Sequence, residues 1–453
     1  MNRPVRLRGQ PASRPAAPVL TRNQMRFHER AARVGEGSRF NWPIILIVLA
    51  GISYNAVLAF MNAHGSSISL SLVITTEVLI LVAAALIVLG AGMQPTDGPP
   101  ALLFSCFLIV ALLITVFGGT WFIGMARNVA IIALFAMLGA RIGSTGLKKC
   151  FFLAGLLVGA VLLLEIISVD QYAATFQPGP YFQQTRGIGT ADYDDSGLFA
   201  PALGFEGRFS IFTITGHRTA SLFLEQVSLG NFAAVMAIFL VSKWAQIARW
   251  QRVFSIALIT IILLTTNSRA GLAVALAAPI VYFIAPRLHR HTTLLIMPVV
   301  MLAALIISHT VPSSGDDLPG RLAVTIENLS TLDLHSLAGL EALTADRFAD
   351  SGYTYVIYAS SIFGLLGLWV FISTIVAGPG KERLRCSLLT GLYIFGNLSV
   401  SGTSIFSIKT AALLWLLVGH MRRDDAVESG NGVPEERARV AAPPRSTMRR
   451  RMA

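Results

Sequence analysis

Long apolar runs alternate with short polar links along most of the chain. The runs lie at about 43–61, 70–92, 101–117, 121–140, 150–168, 222–241, 253–266, 270–285, 293–309, 353–377, 386–400 and 404–420. Many approach the roughly 20 residues that a helix, rising 1.5 Å per residue, needs to cross about 30 Å of hydrocarbon. Backbone groups in hydrocarbon must be bonded within the segment, so the runs read as helices. The pattern predicts an all-α, polytopic membrane protein with about twelve transmembrane helices and both tails on one side.

The links support that count. Those expected inside carry Arg141, Lys148 and Lys149, then Lys243, Arg249 and Arg252, then Arg287 and Arg290, then Lys381, Arg383 and Arg385. "QPTDGPP" is the exception, with no basic residue. Links expected outside are neutral or acidic, as the positive-inside rule requires. Two of them are long, at 169–221 and 310–352. The first is rich in aromatics and glycine. The second has helical apolar spacing, and it is expected to be a partly helical periplasmic loop lying over the outer face.

Composition agrees with a membrane chain. It is 54% hydrophobic and 13% charged, where soluble domains carry about a quarter charged residues. The net charge of +12 comes from the tails and the inner links, which argues against nucleic acid as a partner. Residues 1–40 read as a disordered basic cytoplasmic arm, 41–421 as the membrane domain and 422–453 as a disordered cytoplasmic tail. Cys106, Cys150 and Cys386 lack metal-ligand spacing and read as small buried hydrophobes. "DYDD" (Asp192, Asp194, Asp195) has the spacing of a metal-dependent sugar transferase but reads as a solvated loop, so no metal and no cofactor are expected.

Ionisable residues inside spans are functional candidates. "GHRTASLFLEQVSLGNF" carries Arg218 and Glu225 into the start of a span. A helix beginning near Thr219 would put Arg218, Ser221 and Glu225 on one face. Burial would make Glu225 a base, and an orienting ion pair is the alternative. The seventh and eighth spans read as only about 14 to 16 residues each, so the "TTNSRAG" hairpin with Arg269 is expected to dip into a cavity. Arg127 and Lys409 lie near the outer ends of their spans, where each alone is explained by snorkelling. The shared depth of all four cations points to one anionic ligand, and guanidinium groups suit a diphosphate. Glu77 is the polar residue that departs from this outer placement.

Three stretches, "HRTASLFLEQVSLGNF", "LLTTNSRAGL" and "ADSGYTYVIYASSIFGLLGL", occur in this order. They resemble the O-antigen polymerase and ligase superfamily, most closely its exopolysaccharide (Wzy-type) polymerases, over about residues 200 to 375. The resemblance implies a metal-independent glycosyltransferase in the bacterial inner membrane. Its donor would be a glycan on undecaprenyl diphosphate, with Arg218 and Arg269 on the diphosphate. A chain-length regulator and export machinery would be partners.

Two places depart from the family pattern: Glu225-Gln226 stands where Glu-Pro is frequent, and "RFADSGY" stands where ligases carry a histidine motif. Polymerase is therefore preferred to ligase, and the base is left between Glu225 and Asp350. Tyr353, with Tyr181 and Phe182, is expected to stack on sugars. The rival class is a flippase or exporter of lipid-linked oligosaccharide, which would need polar residues through the full membrane depth.

Overall fold

The computed structural model describes residues 41–118, 124–187, 196–199, 202, 215–312, 317–348, 350–378, 380–401 and 404–430. The arm at 1–40, the "DYDD" motif and the tail beyond 430 lie outside the described residues.

A helix lies over each of the twelve apolar runs. They are α1 (Asn41–Ala63), α2 (Leu70–Gly90), α3 (Gly98–Gly118), α4 (Gly124–Arg141) and α5 (Ser144–Ile167), then α8 (Gln226–Ser242), α9 (Arg249–Thr266), α10 (Arg269–Ile284) and α11 (Ile296–Thr310), then α14 (Gly352–Thr374), α15 (Lys381–Leu398) and α16 (Ile408–Gly430). Among the described residues, nine helices are long and apolar enough to cross a membrane. Between α5 and α8 stand α6 (Val169–Phe176) and α7 (Pro178–Arg186); between α11 and α14 stand α12 (Leu318–Ser330) and α13 (Leu334–Ala338).

The centre of the bundle is α4 against α16. A Cβ on Gly139 would stand 2.2 Å from Leu416 O, and one on Gly419 would stand 1.8 Å from Ala136 O. Only glycine lets these two backbones touch. Membrane helices rely on such contacts, because lipid gives no hydrophobic drive for apolar faces to associate. Outer helices present apolar faces instead: Leu102, Val116 and Phe117 on α3 and Leu302 on α11 are exposed, as is Cys106. Cys106 is thus not the buried hydrophobe expected of it, because its face of α3 meets no neighbouring helix among the described residues.

The link without a basic residue has its own neutralisation. Asp97 is fully buried, and Arg141 at the end of α4 donates to it through both terminal nitrogens, at 2.9 and 2.8 Å. Arg141 also caps Gly92 O and Met137 O. A bidentate pair whose terminal nitrogens are all engaged is a geometry that tolerates burial, although Arg141 Nε itself finds no partner among the described residues.

Three expectations change. The seventh and eighth spans are not short: α9 has 18 residues, and α10 with its following turn has 19. The first turn of α9, Arg249-Trp250-Gln251-Arg252, is polar on one side and escapes a hydropathy reading. The final helix continues past the expected boundary, to Gly430.

Residues 333–348 do not simply cover one end. Gly339 lies against Ser361 of α14, with a would-be Cβ at 2.9 Å from Ser361 N and 3.3 Å from Ile114 Cδ1 of α3. Ser361 is about 14 Å along α14 from its first residue. It interrupts that helix with φ 75° and ψ 169°, a conformation that costs a serine energy and persists only where packing enforces it. Phe348 then packs against Tyr358 in a tilted pair, with ring centroids 4.4 Å apart.

Candidate functional site

The site is built on backbone that is neither helix nor sheet. Residues 217–225 enter the bundle as an irregular segment with a single 3-10 turn, Ser221–Phe223. The helix begins only at Gln226, with Glu225 as its cap residue. It does not start near Thr219 as the sequence suggests, because buried partners hold the preceding groups out of a helix. The carboxylate of Glu165, at the end of α5, accepts from Ala220 N at 3.0 Å and Ser221 N at 2.6 Å. The hydroxyl of Tyr172 donates to Ser221 O at 2.8 Å, and Ser221 Oγ donates to Val158 O at 2.8 Å. His217 Nε2 stands 3.3 Å from Glu165 Oε1. Ser221 and Leu224 both adopt positive φ, 48° and 62°. Left-handed residues that are not glycine cluster where function stores strain.

This segment is stitched to the α9–α10 turn. Thr219 N donates to Thr265 O at 3.1 Å, and the two threonine hydroxyls meet at 2.6 Å. Arg218 is buried, and its Nε donates to Thr266 O at 2.8 Å. Asn267 turns the chain in the left-handed region, Ser268 caps α10 through Gly271 N, and Arg269 is the first residue of that helix. A helix N-terminus favours anions, and a cation there reinforces it. Gly230 of α8 sets the depth of the turn: a Cβ there would stand 2.2 Å from Ser268 Oγ.

Beside the turn is a cavity of about 750 Å³. Arg218, Arg269, Glu225 and Asp350 line it together, and so do Arg186 and Arg321. Its far wall is apolar, made by Ala270, Ala273 and Val274 of α10 and Val300, Ala303, Ala304 and Ile307 of α11. A cluster of guanidinium groups beside an apolar slot suits a ligand with an anionic head and a greasy tail.

Glu225 is held between cations. Its Oε2 accepts from Lys409 Nζ at 2.9 Å and from Ser228 Oγ at 3.0 Å, and its Oε1 pairs with Arg186. Lys409 is buried and also donates to Phe223 O at 3.3 Å. It supports Glu225 rather than lining the cavity. Asp350 is the opposite case: its side chain is 82% exposed, and its only described ion pair is with Arg321 at 3.9 Å. Arg321 in turn reaches Val400 O at 3.4 Å.

The remaining candidates lie elsewhere. Arg127 pairs with Glu77, which also accepts from the Tyr54 hydroxyl. That pair joins α2 to α4, does not line the cavity, and gives the outlying Glu77 a partner. Tyr353 is fully buried and donates to Phe395 O at 3.0 Å. Tyr181 donates to Asn55 Oδ1 at 2.7 Å, and Phe182 is buried beside it. None of these three rings faces the cavity, so the stacking role expected of them lacks geometry. Their hydrophobic area is spent on the core.

Three residues of the candidate site escaped the sequence reading. Glu165 was hidden in a run otherwise purely apolar, where its charge was itself a signal. Arg186 and Arg321 stand in the long segments 169–221 and 310–352, beside Arg208 and Arg347, so nothing in the sequence set them apart.

Fold and site together define an all-helical membrane protein with a cation-lined cavity at one end of its bundle. Set against models of protein families, curated proteins and solved structures, the chain matches none.

Proposed function

We propose that this protein is a glycosyltransferase that polymerises lipid-linked glycan at the outer face of the bacterial inner membrane. All twelve long helical segments would span, with both termini cytoplasmic and the cavity end facing the periplasm. The supporting observation is the shared cavity: Arg218 and Arg269, distant in sequence, line it with an exposed carboxylate and an apolar wall. The arginines neutralise the diphosphate leaving group of an undecaprenyl-diphosphate donor as the glycosidic bond breaks. The apolar wall takes the first isoprene units. Asp350 takes the proton of the attacking sugar hydroxyl, since Glu225 already has both oxygens engaged by cations.

Reconstitution tests this. The protein in liposomes receives lipid-diphosphate repeat units on its cavity face, and products are separated by size. A ladder of longer glycans is expected, and it is lost in Arg218→Ala and Arg269→Ala proteins that still insert. Transbilayer movement of substrate without elongation would replace the reading by a flippase. A ladder of wild-type intensity in both variants would remove the arginines from the mechanism.

A further inference from the structure

Beyond its arginines, the cavity carries amide groups that the fold leaves unsatisfied. Gln226 opens α8 and Asn231 lies in its second turn; both line the cavity and both are buried. Among the described residues, Gln226 Nε2 and Asn231 Nδ2 have no hydrogen-bond partner. Buried amide donors without acceptors destabilise a fold, and native structures leave few of them. Leucine at either place would fill a similar volume without that penalty. Standing on the wall of the cavity, these two amides are placed to serve a bound ligand.

The missing partner accepts hydrogen bonds. The carboxylate nearest in sequence, Glu225, is fully engaged by Lys409, Arg186 and Ser228. That carboxylate therefore has no lone pair to spare for the two amide nitrogens, and each amide also carries a carbonyl oxygen that can accept. A phosphoryl oxygen is acceptor only, and the neighbouring guanidinium groups already select for negative charge.

We propose that Gln226 and Asn231 form an uncharged subsite that donates to non-bridging oxygens of a bound diphosphate. Neutral donors add orientation without deepening the positive field, so product can still leave. This rests on the reading that the cavity takes a diphosphate.

Binding to the full chain in lipid nanodiscs tests it with three probes: inorganic pyrophosphate, farnesyl diphosphate and an uncharged farnesyl glucoside. Gln226→Leu and Asn231→Leu should each weaken both diphosphates by roughly tenfold or more. Glucoside affinity should not change, and the melting temperature of the unliganded protein should stay level or rise, since an unsatisfied donor has gone. Asn231→Asp keeps the side-chain volume and should abolish pyrophosphate binding by repulsion. Unchanged diphosphate affinity in the leucine variants overturns the subsite, as does a loss confined to the glucoside. A lowered melting temperature with all probes weakened alike assigns the amides to the fold and also overturns it. Arg269→Ala separates the two levels. If it weakens pyrophosphate while the leucine variants do not, only the subsite falls. If it leaves pyrophosphate untouched, the diphosphate reading falls and takes the subsite with it.

Discussion

Lys409 Nζ lies 2.9 Å from Glu225 Oε2 and 3.3 Å from Phe223 O, so one buried ammonium ties the final helix to the irregular segment that precedes α8. Removing the carboxylate strands that charge. Glu225→Gln is expected to cost about 3–5 kcal/mol of stability, the usual result of breaking a buried pair from one side. The double variant Glu225→Gln with Lys409→Met should recover most of the loss. Thermal melts of the three proteins decide it. If the single variant melts with the wild type, the pair is not structural.

Asp350 tests the assignment of the base. Its side chain is 82% exposed, so Asp350→Asn should leave the melting temperature unchanged. Elongation should fall about 10²- to 10⁴-fold, the range for a lost general base. An undiminished rate returns the role to another group.

Tyr353 is expected to matter only to the fold. Tyr353→Phe loses one hydrogen bond to Phe395 O, which Ser399 Oγ still contacts at 3.1 Å. The cost should be about 0.5–1.5 kcal/mol, with elongation rate and substrate affinity at wild-type values. A selective rise in KM for the glycan would restore its expected sugar contact.

Leu334 and Leu343, 82% and 61% exposed, sit on the segment that packs beside the break in α14. Gly339 of the same segment meets Ile114 of the apolar helix α3, whose Val116 and Phe117 are also exposed. Both leucines are expected to face acyl chains rather than water. A bimane label on Leu334→Cys should be quenched by brominated lipid and spared by aqueous iodide. The reverse pattern would return the segment to the aqueous surface.

Gly419 has no room for a side chain, since a Cβ would stand 1.8 Å from Ala136 O. Gly419→Val should cost about 4 kcal/mol or more by separating α4 from α16. Size-exclusion profiles in detergent should show aggregate in place of the monodisperse wild-type peak.

The helices were legible because apolar length and intervening charge act locally. Every residue of a run meets the same solvent, so the run alone specifies a helix. The site was legible only in part. Arg218, Arg269 and Glu225 stood out as polar groups at the edges of apolar runs and Asp350 through the family resemblance, and the fold brings all four to one cavity. Arg127 stood out by the same criterion and Tyr353 as an aromatic suited to sugars, yet both serve helix packing. An ionisable residue at a given depth looks identical in sequence whether it faces a ligand or a neighbouring helix.

The chain's own sequence determined an all-helical membrane protein, the places of its helices and a short list of charges that lipid would not tolerate. Tertiary structure decided which of those charges meet. It set Glu165 to hold residues 220–221 out of a helix, turned Lys409 and Arg186 onto Glu225, and left two amides of α8 without partners. The reason is physical: desolvation is paid residue by residue and can be read along the chain, whereas pairing depends on which helices become neighbours, and glycine contacts such as Gly230 against Ser268 fix that only once the bundle has closed.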